Sequence, residues 1–155
     1  RALLDRIEGS APQVKRIEGE LGPGQAADRY EQELRESFGE GVPALDLVLL
    51  GLGPDAHTAS LFPNHAALGE RERLAVGVET PGMAPLVSRV TLTLPVMNQA
   101  RQVVFLVSGD DKAEAVARAF GGAPDPAAPA SLVQPGSLTV LLDPSAARLV
   151  REGAP

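Results

Sequence analysis

The sequence predicts an α/β fold, doubly wound, with a mainly parallel sheet flanked by helices. Leu45 to Leu50 is almost continuously apolar, as a strand buried on both faces of a parallel sheet would be. This run enters a glycine-rich turn, Gly51-Leu52-Gly53-Pro54, directly. Two more strand-like runs, Gln102 to Val107 and Leu138 to Leu142, are separated by a helical pattern.

In chain order, Arg1 to Ile7 has helical spacing with no capping residue before it, so the chain is expected to begin inside a helix. Ala11-Pro12 breaks that pattern, Val14 to Ile17 reads as a short strand ending at Gly19, and Leu21 to Gly24 reads as a turn. Ala26, Ala27, Tyr30, Leu34 and Phe38 recur at three- and four-residue steps, predicting a helix over 25–38 that Gly39 and Gly41 stop. Asp46 reads as a strand-end residue facing solvent, since an ionised carboxylate inside a strand would need a partner.

Past Pro63, Asn64-His65 is a turn in which Asn tolerates the left-handed region, and Glu70 to Arg73 is a solvated charged face. Leu74 to Val78 is a short strand, and 81–85 a Pro/Gly loop. Arg89 to Leu94 alternates with period two, then turns at Asn98 to Arg101. Asp110 is placed to cap a helix from about Asp111 to Phe120. The stretch 121–129 is a loop, and Ala146 to Val150 a short terminal helix.

At 155 residues, 44% of them hydrophobic and few aromatic, the chain suits one domain with a core of Leu, Val and Ala. Its net charge of −6 argues against nucleic acid as a partner, though a local basic pocket is compatible with it. The absence of cysteine excludes disulfides, thiolate metal sites and a Cys nucleophile. No apolar run is long enough for a membrane span and no signal peptide is visible, so a cytoplasmic protein without a membrane partner is expected. Composition leaves the oligomeric state open.

The chemistry concentrates where Asp55 and His57 arrive together just past the carboxyl end of the first long strand, the position at which open α/β sheets bind ligands. Gly51 and Gly53 let the backbone turn sharply and approach a ligand closely. Lys112 falls in the first turn of a helix, where the macrodipole disfavours a cation unless an anion sits between them; its ordinary reading is a surface Lys paired with Asp110 or Asp111. Arg89 opens the alternating strand after a Pro-rich loop. There it sets a guanidinium near the sheet end, and its ordinary reading is a charge that guards an edge strand.

The segment Gly51-Leu52-Gly53-Pro54-Asp55-Ala56-His57-Thr58-Ala59-Ser60-Leu61-Phe62-Pro63 resembles the signature G-x-G-x-D-G-H-T-A-S-L-F-P of the 6-phosphogluconolactonase family, departing from it at Ala56. Similar family motifs recur in Pro85 to Thr93, in Asn98, in Gly109 to Ala113, in Pro129-Ala130-Ser131 and in Leu141-Leu142-Asp143. The resemblance runs essentially end to end. It implies the doubly wound fold of lactonases and sugar-phosphate isomerases, with residues 1–155 a single domain equivalent to the C-terminal part of that fold. The family's phosphate loop G-G-S/T-P and its Asp-Glu-Arg motif belong to an additional N-terminal portion, and neither occurs in this sequence.

The activity implied is hydrolysis of a phosphorylated sugar lactone, 6-phosphogluconolactone, in the pentose phosphate pathway, without cofactor, metal or nucleotide. His57 would be the base that takes a proton from the attacking water, Asp55 would orient it or contact the sugar, and Lys112 and Arg89 would bind the phosphate. If the family glycine at position 56 has positive φ, alanine there costs about 1 kcal/mol and strains the approach to His57.

Three other readings compete with this one. Gly51, Gly53 and Ala56 fit G-x-G-x-x-A with Glu79 downstream, but Pro63-Asn64 would break the helix a dinucleotide site needs, and Asp55 would repel a pyrophosphate. The related glucosamine-6-phosphate deaminases share G-x-G-x-D-G-H but continue differently from Thr58 to Pro63. A non-catalytic remnant or interaction module is the alternative from another class.

Overall fold

The computed structural model describes residues 12–150. The helical reading of Arg1 to Ile7 lies outside them.

Helix α1 (Pro23–Phe38) begins two residues earlier than periodicity suggests. Gly22, at φ 82°, makes the turn, and Pro23 starts the helix with its φ already set. The expected turn at Leu21 to Gly24 therefore shrinks to a short 3-10 segment, Gly19–Leu21, and Gly22. Gly39 stops the helix at φ 84°, donating its N–H to the Arg35 carbonyl. Val14 to Ile17 is not a strand: no neighbouring strand pairs with it among the described residues, and Val14 stays exposed.

Strands β1 (Val48–Leu50), β4 (Val103–Val107) and β5 (Leu138–Leu142) form a parallel sheet in the order β1-β4-β5. Val48 pairs with Val103, Leu50 with Phe105, and Phe105 with Val140. Strands β2 (Ala75–Val78) and β3 (Arg89–Leu92) form a separate antiparallel pair, against which α1 packs. Gly77 permits this close approach, since a methyl group there would lie 2.7 Å from the Pro23 backbone.

The reading of 45–50 as buried on both faces is corrected. Val48 and Leu50 enter the core with Val103, Phe105 and Val107, whereas Leu47 and Leu49 are 53% and 60% exposed. Pleating sends alternate residues to opposite faces, and among the described residues nothing covers the face that also carries exposed Leu106 and Leu141. Asp46 is exposed and pairs with Arg101 at 2.9 Å, as its strand-end position suggests.

Helix α2 (Leu94–Gln99) replaces the expected end of a strand and the turn after it. Pro95 in its first turn favours helical φ, and Leu94 and Met97, three residues apart, enter the core together. Asn98 lies inside α2 and brackets the 132–134 segment, donating to the Leu132 carbonyl and accepting from the Gln134 N–H.

Helix α3 (Ala113–Phe120) buries Ala115, Val116 and Ala119, and Phe120 meets Phe105 edge to face at 5.0 Å. Asp110 does not cap it. A 3-10 turn, Asp110–Lys112, intervenes, and the Asp110 carboxylate turns outward to Arg148. The predicted helix at 146–150 is a series of turns, because the four-residue hydrogen bond from the Ala147 N–H to the Asp143 carbonyl is followed by three-residue ones from Arg148 and Val150.

Candidate active site

Strand β1 ends at Leu50, and the chain bends at once into the loop bearing Asp55 and His57. Hydrogen bonds from Gly53 N–H to the His57 carbonyl (2.8 Å) and from Ala56 N–H to the Gly53 carbonyl (2.9 Å) close the loop on itself. The Thr58 hydroxyl ties it back to the strand end by donating to the Gly51 carbonyl at 2.9 Å. Ala56, fully buried, has φ 68°, and its carbonyl accepts from the Ala130 N–H. The left-handed conformation expected of the family glycine is thus adopted by alanine.

Inside this loop Oδ1 of Asp55 lies 2.6 Å from Nδ1 of His57 and also accepts the His57 backbone N–H at 3.1 Å. Both side chains are mostly buried. The imidazole also packs against Phe62, with ring centroids 4.6 Å apart and the rings tilted by 34°. A carboxylate on Nδ1 favours the tautomer with its proton there, which leaves Nε2 with a free lone pair.

A cleft of about 370 Å³ opens at this end of the sheet, lined by Gly51, Leu52, Gly53, Pro54, His57, Ala59 and Lys112. The fold therefore gathers four of the six sequence-derived candidates around one space, Lys112 arriving from the turn that follows β4. Lys112 is largely buried and has Asp111 at 3.1 Å, so the ordinary pairing expected of it is present even as it faces the cleft. Asp55 stands behind His57 rather than on the wall. Gly51 contributes open space: an added methyl group there would touch nothing.

Arg89 is not on the cleft wall. Its guanidinium sits over the Phe62 ring, 5.6 Å from the centroid, and donates to the Pro85 carbonyl at 3.1 Å. Its Nε is buried without a partner. Phe62, which links His57 to Arg89, was not singled out from the sequence, although it lies within the loop motif; apolar type alone marks it as core. A broader depression over α1, lined by Asp28, Glu31, Arg35 and Arg73 among others, holds charges already paired with one another.

Among the described residues no cluster of His, Asp and Glu could hold a metal ion, and no helix is long and apolar enough to cross a membrane. The arrangement at the cleft is a carboxylate-oriented imidazole beside a cation, suited to moving a proton near a bound anion.

A family model described as glucosamine-6-phosphate isomerases/6-phosphogluconolactonase matches residues 1–142. A human 6-phosphogluconolactonase is 44% identical over 152 residues, covering 96% of this chain and 58% of that protein. One from Streptomyces coelicolor is 40% identical over 157 residues, covering 95% and 60%. The crystal structure of 6-phosphogluconolactonase from Leishmania guyanensis superposes with a TM-score of 0.70 at 33% identity, covering 82% of this chain and 53% of that one. The chain thus spans less than two thirds of the length of these relatives.

Proposed function

Because this chain belongs to the glucosamine-6-phosphate isomerase/6-phosphogluconolactonase family, we propose that the protein hydrolyses 6-phosphogluconolactone to 6-phosphogluconate. The observation that carries this reading is the 2.6 Å contact of Asp55 with His57 Nδ1 in a cleft that Lys112 also lines. The names of the relatives favour the lactonase over the deaminase alternative.

In this mechanism Nε2 of His57 accepts a proton from water as its oxygen bonds to the C1 carbonyl carbon. The carbonyl π electrons move to oxygen, then re-form the double bond as the C1–ring oxygen bond breaks. The proton on His57 passes to the departing ring oxygen, which becomes a hydroxyl, and the new carboxylic acid ionises. Asp55 keeps the ring in the productive tautomer and stabilises the imidazolium that forms. Lys112 holds the phosphate at the cleft, and Arg89 serves it from beside Phe62.

Residues 1–155 act in this reading as the C-terminal part of the family fold, and the apolar outer face of the sheet at Leu47, Leu49, Leu106 and Leu141 supports that division. A cytoplasmic location belongs to the same reading, because an anionic sugar phosphate does not cross a bilayer unaided. The net charge of −6 disfavours nucleic acid as a partner.

The test is lactone hydrolysis above the spontaneous background by the intact protein and by its His57→Ala variant. A loss of about 10²- to 10⁴-fold with the melting curve nearly unchanged is expected. Activity within a few-fold of the parent would remove His57 from the mechanism.

A further inference from the structure

We infer that Asp143 is a positioning residue for the phosphate end of the substrate: it clamps the turn that presents Lys112 to the cleft. The inference rests on the reading that Lys112 holds the phosphate.

Asp143 follows β5 immediately, and Ser108 follows β4. The two strands are parallel neighbours whose last pair is Val107 with Leu142, so these residues meet at the carboxyl ends of adjacent strands. The Asp143 N–H extends the ladder weakly, to the Val107 carbonyl at 3.3 Å, and beyond that point the β4 chain leaves the sheet. There the Asp143 side chain takes over. Its Oδ2 accepts the Ser108 hydroxyl at 2.6 Å and the Gly109 N–H at 3.0 Å, while Oδ1 accepts the Ala146 N–H at 2.7 Å. The Ser108 hydroxyl and these backbone donors hold its carboxyl below the usual carboxylate range.

Gly109, gripped in this way, adopts φ 109°, and a methyl group on it would lie 2.7 Å from Asp111 Oδ1. Its carbonyl accepts the Lys112 N–H at 3.1 Å, closing the 3-10 turn that delivers Lys112. The next turn along the C-terminal segment adds a second tie, Arg148 Nε to Asp110 Oδ1 at 2.5 Å. Oδ2 of Asp143 is committed to the turn and Oδ1 to the Ala146 N–H of its own segment, so the carboxylate ties the one to the other. Lys112 is three residues from the clamp and needs its backbone held to keep an ammonium group, on four flexible carbons, over the cleft.

The experiment measures kcat and KM of the intact protein for 6-phosphogluconolactone and for unphosphorylated gluconolactone, in Asp143→Asn, Ser108→Ala, Lys112→Ala and the Lys112→Ala/Asp143→Asn double variant. Asn keeps the shape of Asp143 but cannot accept at both ends. Asp143→Asn is expected to lower kcat/KM for the phosphorylated lactone about tenfold more than for the unphosphorylated one, through KM, and Ser108→Ala about threefold more. On the Lys112→Ala background Asp143→Asn should add no further discrimination. Equal losses on both substrates, unchanged KM, or tighter binding by Asp143→Asn would overturn the clamp. If Lys112→Ala alone fails to discriminate, the phosphate reading falls and takes the clamp with it. Ser108→Ala, which removes one exposed hydroxyl, keeps the test decisive where Asp143→Asn does not fold.

Discussion

A methyl group on Gly53 would lie 2.0 Å from Nδ1 of His57, closer than any two such atoms can approach. The glycine of this turn is therefore required by the imidazole packed against it, and Asp55 Oδ1, at 2.8 Å, closes the remaining space.

Gly53→Ala should consequently cost activity far more than stability. The ring can swing away from the new methyl group, but only by leaving the Asp55 carboxylate. Turnover is expected to fall about 10²-fold or more while the fold persists. Unchanged lactone hydrolysis, with the His57 ring in place by crystallography, would show that the loop tolerates a side chain here.

Arg89→Ala should raise KM for the phosphorylated lactone about tenfold, with a smaller effect on the unphosphorylated one. Of the five N–H donors of its guanidinium, the Pro85 carbonyl takes one on the exposed side, so donors remain for an anion. Loss of its contact with Phe62 alone would disturb both substrates equally, and parallel measurements separate the two outcomes.

Ala56→Gly restores the residue that the resemblance expects. Relief of the left-handed strain at φ 68° contributes about 1–2 kcal/mol. Against this stand the lost burial of a methyl group, about 0.8 kcal/mol, and the larger entropy glycine brings to the unfolded chain, about 0.4–1 kcal/mol. The terms nearly cancel, so urea unfolding should move by less than about 1 kcal/mol and turnover by no more than a few-fold. A shift of several kcal/mol would mean that the loop is rebuilt around position 56.

Glu31 on α1 sets part of the acid sensitivity. Burial by itself would raise its carboxyl, but hydrogen bonds from Arg35 (2.7 Å), Arg73 (2.8 Å) and the Leu74 N–H outweigh that and hold it below its ordinary value. A depressed carboxyl stabilises the fold above the unfolded carboxylate value and loses that contribution as pH falls through the folded one. Glu31→Gln should therefore cost about 1 kcal/mol at neutral pH and flatten the fall in melting temperature between neutral and acid solution. An identical acid profile in parent and variant would exclude this group.

The helix over 25–38, the strands at 75–78, 103–107 and 138–142 and the Asp55–His57 loop were legible in the sequence because each is written in residues close along the chain: apolar period, glycine stops, and a contiguous motif. The same locality explains why Asn64 could be placed in a left-handed turn, where its φ is 56°. Local signals mislead where two local preferences compete, as at Leu94, where the alternation from Arg89 suggests strand but Pro95 favours helix.

What tertiary structure alone decided involves partners far apart in sequence. Only folding exposes Leu49 while burying Leu50, because an apolar run does not say which faces of a strand find a neighbour. Glu31 reaches Arg73 across 42 residues, and Asp143 reaches Ser108 across 35. Lys112 likewise meets the His57 cleft because β4 lies beside β1 in the parallel sheet, which ends both strands at the same edge. Residue type supplies the donors and acceptors, but strand order and register select which of them come within hydrogen-bonding distance.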